Sequence, residues 1–369
     1  MAAISENYSG GTFLSDLVTR PEFLQYTAEG IFEQSKWIGS GIIQRNGALD
    51  ARAGGTRIRV PFHDPISPTE ERITSASDWG TSGAGYLTPQ GTTADEQIMT
   101  ILHRGFSYAA DDLSKLGSGT DPLAHVRNQL SAAINKLKTA TLKAHLEGLF
   151  GGITATGVLG PNQYDGSIAG TTPTEENYLS VGNVIATKNL LGERGEEIDT
   201  IAMHSAVAYY LQQIGMLTFS TSALAASGAV TWGAGGVGVS APEVATFAGL
   251  RVVIDDQLTF LPGGTATHRV KYPVYMFKSG VVSEGVQQDL RLAADRNILS
   301  MQDVIAVDYH YGYHITGTRW AAAGDNPTNE ATAGNLSNTS SWNMVFSTTK
   351  MIPVLRMLVN TPYDTTAYA

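Results

Sequence analysis

The segment Asp121 to Gly152, DPLAHVRNQLSAAINKLKTATLKAHLEGLFGG, constrains the fold more than any other part of this chain. Asp followed by Pro is a helix start: the carboxylate accepts from the unpaired N–H groups of the first turn, and Pro has no N–H to lose. Apolar residues recur three and four apart at Leu123, Val126, Leu130, Ala133/Ile134 and Leu137, which predicts one buried helix face. No Pro or Gly interrupts the segment before Gly148, and Gly148, Gly151 and Gly152 supply the predicted stop. A helix of about 27 residues is about 40 Å long, against a usual mean of about 11–12 residues. Strand-like sequence on both sides makes it the spine of an extended α+β subunit.

Before the helix, residues 1–48 read as an arm. Pro21 opens an amphipathic segment with Leu24, Ala28, Ile31 and Ile38 on one face. Such an isolated helix is marginal and must dock on its own core or on a neighbour. Strand-like runs at Thr56–Phe62 and Glu96–Leu102 flank a long excursion rich in Pro, Gly, Ser and Thr. If the two strands pair, the excursion is a protruding hairpin arm.

After the helix an α/β pattern follows: helices over 181–191 and 205–214, strands at 198–203, 250–254 and 274–277. From Ala202 to Pro242 there is no Asp, Glu, Lys or Arg, which suggests a loop packed against neighbouring copies or a disordered tip. A long strand over Asp303–Thr318, closed by Trp320, and an apolar strand over Met351–Asn360 complete the chain.

Composition narrows the function. Charged residues make up only 16 %, with 40 glycines, which fits either a surface largely covered by other copies or an ordinary β-rich soluble protein. A net charge of −10 opposes tight, direct nucleic-acid binding. There is no Cys, so disulfide and thiolate chemistry are excluded. MAAISENYSGG has neither the basic region nor the apolar core of a secretory signal, and no run of 18 apolar residues exists to span a membrane.

The chemical motifs are weak. Gly233, Gly235, Gly236 and Gly238 spell part of a dinucleotide fingerprint, with Asp255 and Asp256 about 20 residues on, but Pro242 breaks the helix that must follow. Asp308, His310 and His314 share one strand face, yet positions four apart on a strand lie roughly 13 Å apart, too far for one ion without a bulge. Tyr309, Tyr311 and Tyr313 take the other face and read as packing. Hydrolase and P-loop signatures are absent, and Glu70, Glu71, Asp111 and Asp112 read as solvated or capping. No catalytic, cofactor-binding or metal-ligating residue is predicted. On the long helix, Arg127, Lys136, Lys138 and Lys143 against Glu147 make either a solvated face or a weakly positive lining for a polyanion-filled cavity.

One succession of residues resembles a known family. It runs through Arg104–Leu113 (RGFSYAADDL), Gly119–Leu123 (GTDPL), the long helix ending LEGLFG, Gly317–Trp320 (GTRW), Asn326–Asn329 (NPTN), Ser341–Asn343 (SWN) and Lys350–Val354 (KMIPV). This is similar to the tailed-phage major capsid protein family, whose fold encapsulins share. The resemblance implies an N-terminal arm (1–48), an extended E-loop (49–104), a peripheral domain with the spine helix (105–155), an axial α/β domain (156–297) and return strands of the peripheral domain (298–369). It further implies a non-enzymatic coat protein without cofactors, self-assembling into pentamers and hexamers of an icosahedral head around double-stranded DNA in the virion. Assembly in the host cytoplasm with a portal and a scaffolding protein, and with room for a decoration protein, goes with that reading. The alternatives are an encapsulin-like compartment and a soluble nucleotide-binding enzyme. Some members of the fold cross-link through an E-loop Lys; here no Lys lies between Lys36 and Lys115, so shell stability is expected to be non-covalent.

Overall fold

In a computed structural model the long helix, α1, runs over Pro122–Phe150, 29 residues. The model describes residues 37, 40–50, 55–70, 89–113, 121–168, 173–220, 244–258, 261–263, 269–320 and 331–363. Most of the amphipathic segment from Pro21, the centre of the excursion at 71–88, the glycines at 233–238 and the loop at 321–330 lie outside the described residues.

Both ends of α1 form as their residues dictate. Asp121 Oδ1 accepts from Leu123 N at 3.1 Å. Gly151 adopts the left-handed φ of 77° and its N–H donates to Glu147 O at 2.8 Å. The expected stripe holds at Leu123 and Ile134, which are buried, but Leu130 is only half-buried and Leu137 is 47 % exposed. The reason lies further along: Leu142, Leu146, Leu149 and Phe150 are all buried, because the last turns enter the core and are covered on several sides. Gly148 is not a stop. A Cβ there would clash with the Leu336 carbonyl and the Trp342 indole, so this glycine lets another segment approach the helix closely.

The strands before α1 are β1 (Ile43–Arg45), β2 (Arg57–His63), β3 (Ala94–Thr100) and β4 (Leu102–Asp111). After it come β5 (Gln163–Asp165), α2 (Val181–Asn189), β6 (Thr200–Met203), α3 (Ser205–Gln213), β7 (Thr218–Ser220), β8 (Val244–Phe247), β9 (Leu250–Ile254) and β10 (Leu261–Gly263). The remainder is β11 (Arg269–Phe277), β12 (Val282–Asn297), β13 (Gln302–Ile315), β14 (Thr318–Trp320), α4 (Ala333–Ser337), β15 (Trp342–Met344) and β16 (Val354–Val359).

Two sheets organise these elements. A four-stranded sheet has the order β1-β12-β13-β4, and an eight-stranded sheet runs β5-β16-β11-β6-β9-β8-β7 with β10 beside β11. The larger sheet is buried on both faces. Val274, Met276, Leu355 and Met357 meet Val207 and Leu211 of α3 and Val184 of α2, whereas Tyr275, Phe277 and Val354 share a cluster with Phe150 of α1. Central strands covered on both sides need apolar residues at successive positions, which is how YPVYMF and VLRMLV read.

The sheets exchange strands across the expected domain boundaries. β12, inside the stretch 156–297, joins the four-stranded sheet, and β16, inside 298–369, lies between β5 and β11 of the larger one. The long strand expected over Asp303–Thr318 is two, β13 and β14, separated at Gly317 where φ is 93°. Of the segment from Pro21, Trp37 is described: it is buried, with its ring 5.4 Å from Phe277. With Ile42 buried beside it in the same cluster, this end of the arm docks on its own chain.

Candidate assembly interface

β2 and β3 pair antiparallel over their full length, from Arg57↔Thr100 to His63↔Ala94, as the two legs of a hairpin. The hairpin is rooted by bare backbone. Gly285 and Gly312 lie opposite one another in the β12–β13 pair. A Cβ on Gly312 would run into the Thr100 carbonyl, and one on Gly285 would sit 2.5 Å from the Leu49 carbonyl. The crossing is therefore possible only where two adjacent strands both carry glycine.

Polar groups lock the same crossing. Gln97 Oε1, on β3, accepts from Gly317 N at 3.0 Å and contacts His314 Nε2 at 2.7 Å. A backbone N–H can only donate, so that Gln97 atom is the oxygen and His314 must carry its proton on Nε2. Burial holds the His314 imidazole down at about 4. Behind it, His145 of α1 stacks on Trp342 at 4.0 Å, and burial together with His314 holds it down at about 3. Beyond the root the hairpin buries little: β2 has no buried residue and Ile66 is 76 % exposed. A two-stranded ribbon without a core is marginal unless something covers it.

The metal candidates are not brought together. Asp308 accepts from Arg291 Nε at 3.0 Å, an ion pair that holds its carboxyl below the usual range. His310 meets the ring of His103 at 4.3 Å, and His314 is committed to Gln97. Among the described residues no group of three or more His, Asp or Glu side chains could hold an ion. Tyr309, Tyr311 and Tyr313 are buried in a row of touching rings, as their shared face implied. Asp255 accepts from Gln257 N at 2.8 Å in a local turn, and Asp256 accepts from Ser205 N at 3.2 Å at the start of α3, so each acid has a structural partner. Asp112 is paired with Arg296.

The four helix cations do not form one face. At about 100° per residue, Arg127 and Lys138 lie on one side of α1 and Lys136 and Lys143 on the opposite side. Lys138 pairs with Glu284 at 2.7 Å, and Lys143 donates to the Gln257 carbonyl. A common lining for polyanion is not what this helix presents.

Among the described residues, and besides single positions such as Ile66, Tyr108 and Leu137, large exposed apolar side chains gather in two places. One is the end of the β12–β13 hairpin, where Ile298 is 74 % and Leu299 98 % exposed, with Leu290 and Leu292 alongside. The other is the helical side of the large sheet, with Ile185, Tyr209, Ile214 and Met216. Sequence reasoning missed the first because β12 itself was missed. Contiguous exposed apolar surface of this kind marks contact sites.

No protein-family model matches the sequence. The major capsid protein of Bacillus phage SPP1 is 23 % identical over 351 residues, covering 92 % of this chain and 96 % of that protein. In fold, the capsid of Ralstonia phage GP4 is similar with a TM-score of 0.57 at 10 % identity, covering 92 % of this chain and 96 % of the other. The Cyanophage Pam1 capsid asymmetric unit gives a TM-score of 0.55 at 12 % identity, covering 94 % and 99 %. The likeness runs over nearly the whole chain and nearly the whole of each relative.

Proposed function

We propose that this chain, a tailed-phage major capsid protein by its relationship and its fold, closes a head shell as rings of copies joined by their hairpins. The observation that carries the reading is the near full-length relationship to one phage major capsid protein, coupled to a capsid fold. Its fit to the geometry is physical. A hairpin whose small apolar cluster, Leu49, Met99 and Ile101 with Ile58 and Val60, is confined to its root, together with two exposed apolar regions, offers surfaces for further copies to complete. Many weak contacts made together then hold a closed shell.

The rings are pentamers and hexamers in an icosahedral head, and the cargo is double-stranded DNA held without sequence-specific contacts. A net charge of −10, and the division of the α1 cations between two faces, favour a wall that confines DNA over one that binds it tightly. Residues 49–104 act as the E-loop, and the helical side of the large sheet gathers at the capsomer axes. The role is structural, not enzymatic. A separate scaffolding protein guides closure in the host cytoplasm, with a portal at one vertex and room for a decoration protein. An encapsulin-like compartment is not favoured, since the relationship runs to phage head proteins.

The test is particle formation. Protein expressed with and without a scaffolding protein should give uniform closed particles tens of nanometres across by negative-stain microscopy and light scattering. A stable monomer under every condition would overturn the shell reading. Uniform closed shells from this chain alone would remove the scaffold.

A further inference from the structure

The distal half of β12 is a strand edge without a neighbour among the described residues. β1 covers only Val282–Glu284, whereas β12 pairs with β13 out to Asn297↔Gln302. Every residue from Asp289 to Arg296 is exposed. A regular open edge is a template on which another strand can be added.

The residues on this edge select the strand that fits. From Arg291 onward the register is regular, because the irregularities lie at Val286/Gln288 and Gln288/Arg291. When a strand pairs with its own copy about a two-fold axis normal to the sheet, opposed residues must face the same side, so the axis passes through a residue. An axis at Leu292 sets Arg291 against Ala293 of the partner subunit and leaves the charges unmatched. An axis at Ala294 sets Arg296 against Leu292 of the partner subunit and leaves the charges unmatched. An axis at Ala293 sets Arg291 against Asp295 of the partner subunit, twice by symmetry, and Leu292 against Ala294 of the partner subunit on the other face. Opposite charges directly across a pair favour it, and like charges oppose it.

Both charged groups have capacity left. Arg291 is 71 % exposed and uses its Nε on Asp308, leaving the other guanidinium donors open. Asp295 takes its neighbour's backbone N–H on Oδ1 alone. On the opposite face, Leu292 and Ala294 continue the row that holds Val307 and Ile305 in the core. A second copy would extend that apolar row without a break.

We propose that the β12 edges of two copies pair antiparallel about a two-fold axis at Ala293, joining two subunits through one continuous sheet. The contact rests on the shell reading for its setting. The chain has no Cys, so Ala293→Cys places a single thiol on the axis. Directly opposed antiparallel residues have Cα atoms about 4.5–5.5 Å apart, within disulfide reach.

Particles of this variant, oxidised with diamide and run on a non-reducing gel, should show mostly covalent dimers. Ala306→Cys, also at an exposed position but on β13, should stay monomeric. In the Ala293→Cys background, Arg291→Asp and Asp295→Arg should each lower the dimer yield roughly fivefold, and the double exchange should restore it. Closed particles without an Ala293→Cys dimer, equal dimer from Ala306→Cys, or no rescue by the double exchange would each overturn the pairing. If no particles form, the shell reading fails by itself. A dimer in the unassembled protein would still support the edge contact, and its absence there too would remove both.

Discussion

Acid should loosen this subunit through two histidines that are neutral when folded. His314 and His145 are held down at about 4 and about 3, the first by burial, the second by burial and by His314. In the unfolded chain both titrate near 6.5. The sign follows from proton counts. Below pH 6.5 the unfolded state binds protons that the native state refuses, so stability falls as pH falls. At pH 5 the unfolded imidazoles are charged and the native ones are not. The gap of about 1.5 units at about 1.4 kcal/mol each gives about 2 kcal/mol per histidine, about 4 kcal/mol for both. The loss continues towards the native values and then levels off. Urea denaturation of the unassembled protein from pH 7.5 to 5 measures it directly. His145→Phe keeps a ring against Trp342 and removes one proton site, and because His145 Nε2 has no hydrogen-bond partner, Phe strands no polar group. The variant should lose about half the pH dependence. An unchanged slope in His145→Phe, or stability rising towards pH 5, would refute the assignment of neutral buried imidazoles.

Gly312→Ala should cost about 1–3 kcal/mol by pushing the Thr100 carbonyl off the sheet, with a lowered Tm and a loss of closed particles. Leu142→Ala, at a fully buried position of α1, should cost about 2–5 kcal/mol in chemical denaturation. Leu137→Ala, at an exposed position of the same helix, should cost less than about 0.5 kcal/mol. Deleting 69–92 should leave a folded subunit with native circular dichroism that no longer closes shells; a deletion variant that unfolds would make this segment part of the core.

The long helix was legible because its start and its periodicity are local: Asp121 and Pro122 act within one turn. β6, β9, β11 and β16 of the large sheet were legible as apolar runs for the same reason, whereas its short strands β5, β7, β8 and β10 were not. Two further things were not. β12 reads QQDLRLAAD, residues with little strand propensity on an edge exposed on both faces, so neither composition nor alternation marks it. The ending of α1 misled because Gly148 looks like a helix stop, while the carbonyl that requires glycine there belongs to Leu336, far along the chain. At the metal candidates, even spacing placed Asp308, His310 and His314 on one face, but Arg291, His103 and Gln97 come from three other strands and claim them separately. Partners chosen by topology cannot be read from spacing.

β16 has a consequence for the order in which the subunit can be made. Its residues divide between two clusters: Val354 belongs with the spine helix, and Leu355, Met357 and Val359 with the helices on the other face. Its Arg356 is fully buried, lies 4.7 Å from the Phe150 ring and donates to Gln163 at 2.6 Å, a residue made 193 positions earlier. On the ribosome, β5 and β11 emerge with a vacant slot between them, and neither face of the sheet can seal until β16 arrives. A growing chain therefore has no complete large sheet before its C-terminal strand is made. Such distant pairing is slow to find. If the chain builds the proposed shell, chains that still lack their last strand would be kept out of it.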